Sequence, residues 1–137
     1  MHTLTTTATL DFLPEIMAFI KKTSLHYKAN EEQLMAIELA VEEAVVNIIS
    51  YAYPENSLGS VNLSCELINQ SDLIITIYDT GKAYNPLAKK DPNINADIEH
   101  RGIGGLGVFL TKEMMDDVSY QYTKGKNILT LKKILSN

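Results

Sequence analysis

The sequence predicts an α/β chain of the α+β two-layer sandwich type, a mostly antiparallel mixed sheet with helices packed on one face. Three observations carry this. Val61, Leu63, Cys65 and Leu67 alternate with polar residues, and the apolar run 73–78 follows across a polar turn, which is a hairpin pattern. Leu34, Ile37, Val41, Ala44, Val45 and Ile48 recur at helical spacing. The elements come in the order β-α-α-β-β-loop-α-β-β, so strands follow one another directly and pair antiparallel.

Each element has a local reason. Residues 3–10 are threonine-rich and suit an edge strand. Asp11 is placed to cap a helix over 12–27, with Pro14 in its first turn and Ile16, Phe19 and Ile20 on one face. Asn30 caps the second helix, Glu31 and Glu32 occupy its positive first turn, and Pro54 ends it. Asn69-Gln70-Ser71-Asp72 turns between the strands of the first hairpin. Residues 84–101 are polar, contain two prolines and show no period, so they read as a long functional loop. A third helix is expected from about Gly104 to Asp117. Strands at 118–123 and 127–133, turning at Lys124-Gly125-Lys126, close the chain.

The 137 residues fit one domain, 1–137. No apolar run is long enough to span a membrane. The opening MHTLTTTATLDF lacks the basic start and apolar core of a signal peptide. Cys65 is the only cysteine, so no intrachain disulfide forms, which agrees with a cytoplasmic location. A formal net charge of -5 disfavours nucleic-acid binding through a broad basic surface. A phosphate site remains open, because backbone N–H groups and a metal supply positive field locally.

Three constellations carry candidate chemistry. Glu43 and Asn47 stand four residues apart and point the same way from the second helix. An amide oxygen can ligate Mg²⁺, and a carboxylate one turn away can take a proton from a hydroxyl. Alone, the acidic cluster Glu38, Glu42 and Glu43 also reads as a solvated helix face, but Asn47 is a weak helix former inside a strongly patterned helix. Asp79-Thr80-Gly81 ends an apolar strand; the carboxylate can accept from an adenine amino group, and the same residues suit an ordinary turn. Arg101-Gly102-Ile103-Gly104-Gly105-Leu106-Gly107 precedes an apolar helix, as a phosphate cradle or a hinge does. Gly102, Gly104 and Gly107 also spell a dinucleotide fingerprint. That motif should follow a buried strand and precede an acid by about twenty residues. Here it follows a polar loop and leads to Lys126-Asn127-Ile128. No Gly-Lys-Ser/Thr completes a P-loop.

In this order the constellations, E-x-x-x-N, D-x-G, a long loop and G-x-G before a helix, resemble the Bergerat ATP-binding fold. Within it the chain looks most like the small anti-sigma-factor serine/threonine kinases of bacteria. Glu42-Glu43-Ala44-Val45-Val46-Asn47, Tyr78-Asp79-Thr80-Gly81 and Gly104-Gly105-Leu106-Gly107-Val108-Phe109-Leu110 carry the likeness, which covers nearly the whole chain. The resemblance implies ATP and Mg²⁺ as cofactors, with Asn47 on the metal, Asp79 on the adenine amino group, and Gly81 admitting the base. It implies Arg101, Gly105 and Gly107 near the phosphates, residues 84–101 as a lid, Thr130 beside the adenine assisting Asp79, and Glu43 as catalytic base. It also implies partners: an anti-anti-sigma antagonist phosphorylated on serine, a sigma factor held in check, a serine phosphatase acting on the antagonist, and a second copy of the chain in a homodimer. The family's D-x-G-x-G has Ala83 in place of its last glycine, and Lys89 and Lys90 are not placed by motif.

The alternative function is a non-catalytic module in which ATP gates a protein interaction. A histidine-kinase fragment is the third reading. His2, His26 and His100 lack the helical-hairpin context of a phospho-acceptor.

Overall fold

The computed structural model describes residues 1–54, 57–85 and 111–135. Among them are strands β1 (His2–Thr7), β2 (Ser60–Ile68), β3 (Asp72–Asp79), β4 (Asp117–Thr123) and β5 (Lys126–Ile134), and helices α1 (Leu13–His26) and α2 (Glu31–Tyr51).

Asn30 starts α2 as expected. Its Oδ1 accepts the Gln33 N–H at 2.8 Å, and Gln33 Oε1 accepts the Asn30 N–H at 2.8 Å. This reciprocal box satisfies two donors that a helix start otherwise leaves open. The Gln33 amide also reaches the carbonyls of Ile134 and Leu135 at 3.4 and 3.3 Å, tying α2 to the end of β5. Asp11 does not cap α1. It lies inside a 3-10 turn, Leu10–Phe12, which runs straight into the helix, so Phe12 holds the cap position with no side-chain bond. Pro14 sits in the first turn, where its missing N–H is harmless.

The sheet order is β1-β2-β3-β5-β4, and all four pairings are antiparallel. The mixed sheet expected from the sequence therefore has no parallel pair among the described residues. β1 is an edge, as expected, though it ends at Thr7 rather than at residue 10. Both expected hairpins form. Asn69 and Gln70 adopt positive φ in the first, Lys124 and Gly125 in the second, which matches the right-handed strand twist. Residues 111–114 are helical and Asp117 already belongs to β4; the rest of the expected third helix, 104–110, lies outside the described residues.

Along β3, Leu73, Ile75, Ile77 and Asp79 are buried and their neighbours are half-exposed. The first three meet Val61, Leu63 and Cys65 from β2, Leu131 from β5, Ile16 and Ile20 from α1, and Ile37, Val41 and Val45 from α2 in one core. Each such side chain taken out of water stabilises the fold by about 1.5–3 kcal/mol before ordering entropy is counted. The helices thus cover one face. Asp79 follows Ile77 on that same face, where another apolar residue would continue the core.

Candidate functional site

Period-two alternation delivers Asp79 into the molecule, and 3.6-residue periodicity delivers Asn47 to meet it. Asn47 follows Ala44 by three residues on the core-facing stripe of α2 and is only 8% exposed. Glu43 is half-buried one turn earlier. Both line a cavity that is open to solvent. Its walls are largely apolar: Ala44, Ile48 and Ala52 of the α2 side, Ile77, Val118 and Leu129 of the sheet. Asp79, Asn127, Tyr84, Tyr120 and Thr111 place polar groups in it. Apolar walls with a few converging polar groups are the usual build of a small-molecule site.

Asp79 is 3% exposed. Its Oδ1 accepts the Gly81 N–H at 2.8 Å and Asn127 Nδ2 at 2.9 Å. Neither bond uses Oδ2, so that oxygen is left for a donor in the cavity.

Asn47 differs. Its side-chain amide makes no hydrogen bond to another described residue, and it lines the cavity, where its polar atoms stay accessible to a ligand. Its oxygen is a hard donor of the kind Mg²⁺ takes, and Mg²⁺ typically uses one or two protein oxygens beside phosphate and water. The described residues contain no cluster of three or more acidic, histidine or cysteine side chains able to hold a metal by themselves. The donor set therefore fits a metal arriving with phosphate rather than one resident in a protein cage.

Gly81 has a different reason from the one the sequence offered. A Cβ there would lie 2.1 Å from the Ala52 carbonyl oxygen and 2.6 Å from its carbon. The glycine lets the turn after β3 press against the C-terminal end of α2, and the Lys82 N–H donates to Ala52 O at 2.9 Å. Tyr53 pins the same turn: its hydroxyl accepts the Thr80 N–H at 3.0 Å and donates to Ser60 O at 2.6 Å. Gly81 does not line the cavity.

Thr130 was expected beside Asp79 and is not there. It pairs with Thr76 and Ser119, on the face turned away from the helices. Asn127, the partner of Asp79 in the β3–β5 register, occupies that place. Its Nδ2 also donates to Lys82 O at 2.8 Å, and its Oδ1 accepts the Tyr84 N–H at 3.0 Å and the Tyr120 hydroxyl. Burial raises the pKa of Tyr120; a hydrogen bond involving the Tyr84 backbone opposes this and the Asp79 charge adds to it, so the phenol stays a neutral donor. A polar residue on the core face of a strand was the available signal for Asn127, but it depends on knowing the register. Arg101, Gly105 and Gly107, with Lys89, Lys90 and the span 86–101, lie outside the described residues.

The histidine kinase-like ATPase domain family matches residues 6–133. A serine-protein kinase RsbW of Staphylococcus epidermidis is 33% identical over 111 residues, covering 77% of this chain and 69% of the relative. One from Listeria monocytogenes is 28% identical over 117 residues, covering 82% and 71%. Among solved structures, the RsbU and RsbW domains of a Mycobacterium tuberculosis protein superpose with a TM-score of 0.66 at 16% identity, over 100% of this chain and 33% of that one. This chain thus spans a third of that solved protein. The histidine kinase domain of an Erythrobacter litoralis blue-light activated kinase gives a TM-score of 0.58 at 15% identity, over 88% and 61%. At those identities the two structures speak for the fold alone. Sequence, topology and relatives agree: the chain belongs to the histidine kinase-like ATPase domain family.

Proposed function

We propose that this protein is an ATP-dependent serine kinase of the anti-sigma type. In this reading it phosphorylates an anti-anti-sigma antagonist on serine and holds a sigma factor inactive when the antagonist is spent. The observation that carries the nucleotide reading is the pair of buried polar residues aimed into one apolar cavity: Asn47 without a hydrogen-bond partner among the described residues, and Asp79 with Oδ2 unused. The kinase reading is supported by the relatives named serine-protein kinases and by Glu43 on the same cavity wall.

The roles divide by chemistry. Asp79 accepts the adenine amino group, and the apolar walls take the faces of the base. Asn47 holds Mg²⁺, which when bound neutralises phosphate charge and keeps the triphosphate in position. Glu43 accepts the proton of the attacking serine hydroxyl, work worth about 10²–10⁴-fold in rate. The phosphate-binding role is assigned to Arg101, Gly105 and Gly107 by the family resemblance alone. A serine phosphatase restoring the antagonist, a homodimer and a cytoplasmic setting complete the proposal; no helix among the described residues is long and apolar enough to cross a membrane.

The test is phosphate transfer from γ-labelled ATP to the partner serine. Wild type labels the partner, and Glu43→Ala binds ATP with little change but loses labelling by about 10²-fold or more. An ATP-binding wild type that leaves the partner unlabelled yet still controls it by association would replace the kinase with the ATP-gated binding module.

A further inference from the structure

The Asn127 side chain has four hydrogen-bonding positions, two N–H donors and two oxygen lone pairs. All four are filled. The donors go to Asp79 Oδ1 at 2.9 Å and Lys82 O at 2.8 Å; the oxygen takes the Tyr84 N–H at 3.0 Å and the Tyr120 hydroxyl. A carboxylate and a carbonyl on one side, an N–H and a hydroxyl on the other, leave only one orientation of the amide. The residue is 6% exposed. It therefore has no hydrogen-bonding capacity left for a ligand, although it borders the cavity. Whatever it does to a bound base passes through Asp79.

Asp79 alone could turn about its side-chain torsions and offer either oxygen, at varying angle, to the cavity. Two donors on Oδ1, one from the backbone of Gly81 and one from Asn127, remove that freedom and hold Oδ2 toward the apolar walls. A carboxylate fixed this way is a rigid acceptor. It favours a purine carrying an exocyclic amino group at that point and repels one carrying a carbonyl oxygen. We infer that Asn127 is a positioning residue: by clamping Asp79 it makes the site selective for an amino-purine over an oxo-purine nucleotide.

This rests on the reading that Asp79 meets the base of ATP, and the two ideas fail differently. The experiment is calorimetric titration of wild type, Asn127→Ala and Asp79→Asn with Mg²⁺-ATP and Mg²⁺-ITP, inosine differing from adenosine by carbonyl oxygen in place of the amino group. Wild type prefers ATP, and Asp79→Asn reverses the preference toward ITP, because its amide N–H₂ then stands where Oδ2 stood and meets the inosine carbonyl. Asn127→Ala weakens ATP by about tenfold and leaves ITP within about threefold, so the preference shrinks. A residue that merely supported the fold would weaken both nucleotides by the same factor. That result, or an unchanged preference, overturns the role of Asn127. A wild type with equal affinity for ATP and ITP overturns the adenine assignment of Asp79 itself, and the inference with it. Should Asn127→Ala fail to fold, Asn127→Ser carries the same expectation, because its hydroxyl stays polar but ends a bond short of Asp79.

Discussion

Asp79 and Asn127 stand directly opposite one another in the β3–β5 pairing, on the face that meets the helices, with Asn127 Nδ2 2.9 Å from Asp79 Oδ1. Two polar residues side by side at the edge of an apolar core are tolerated because they satisfy each other. The unused Oδ2 is then the part of the pair that can answer to a ligand.

Asp79→Asn tests that division within one side chain. The new amide oxygen takes over the Gly81 and Asn127 hydrogen bonds, so the fold is kept and thermal unfolding moves by no more than a few degrees. The new amino group stands where Oδ2 stood and opposes the adenine amino group, donor against donor. Calorimetry is expected to show ATP affinity reduced by about tenfold or more.

Asn47→Leu separates stability from binding. The leucine replaces the amide with apolar atoms at a cavity-lining position that is 8% exposed. Urea unfolding without nucleotide is expected to change by no more than about 1 kcal/mol. The same protein is expected to lose the Mg²⁺ dependence of ATP binding. A stably folded variant that keeps its Mg²⁺ dependence would remove Asn47 from the metal site.

Two glycines should respond very differently to alanine. At Gly81 the new methyl would meet backbone, 2.1 Å from Ala52 O, and either β3 or the end of α2 must move. The expected loss is about 2–4 kcal/mol in urea unfolding. At Gly125 nothing lies within 4 Å, and only the φ of +76° opposes a side chain, which costs about 1 kcal/mol.

Cys65 gives a pH prediction with a definite sign. Burial pushes its thiol from 9.0 up to about 12. A raised folded value means that the folded state keeps its proton when the unfolded chain has already lost it. The contribution is thus intact below pH 9 and is lost as pH rises toward 12, at about 1.4 kcal/mol per pH unit across that window. Native protein at pH 8 should react with a thiol reagent only as fast as it unfolds, and 6 M urea should make Cys65 react at once. Rapid labelling of the native state would contradict the burial.

Much of this site is legible in the sequence. The alternation Leu73, Ile75, Ile77 carries on to Asp79 without reference to any other strand, and the stripe Ala40, Ala44, Asn47 needs only the helix period. Both are consequences of local geometry, and both placements were legible. The capping box at Asn30 is local for the same reason. Asp11 is the exception: a 3-10 turn and a helix cap compete for the same residues, and here the turn takes them.

Thr130 and Gly81 mark the other limit. Every strand has two faces, and nothing inside residues 127–133 says which one meets the helices at Asp79. That depends on β5 entering between β3 and β4 with Asn127 opposite Asp79, a long-range register; a shift of one residue would exchange Thr130 for its neighbour. Gly81 reads from sequence as room for a ligand, whereas the atoms that exclude a side chain there belong to Ala52, on a helix end far away in the chain. The sequence by itself determined which residues are polar where the local pattern asks for apolar. The tertiary structure decided which of them share a cavity, because side chains from different elements meet only once register and packing are set.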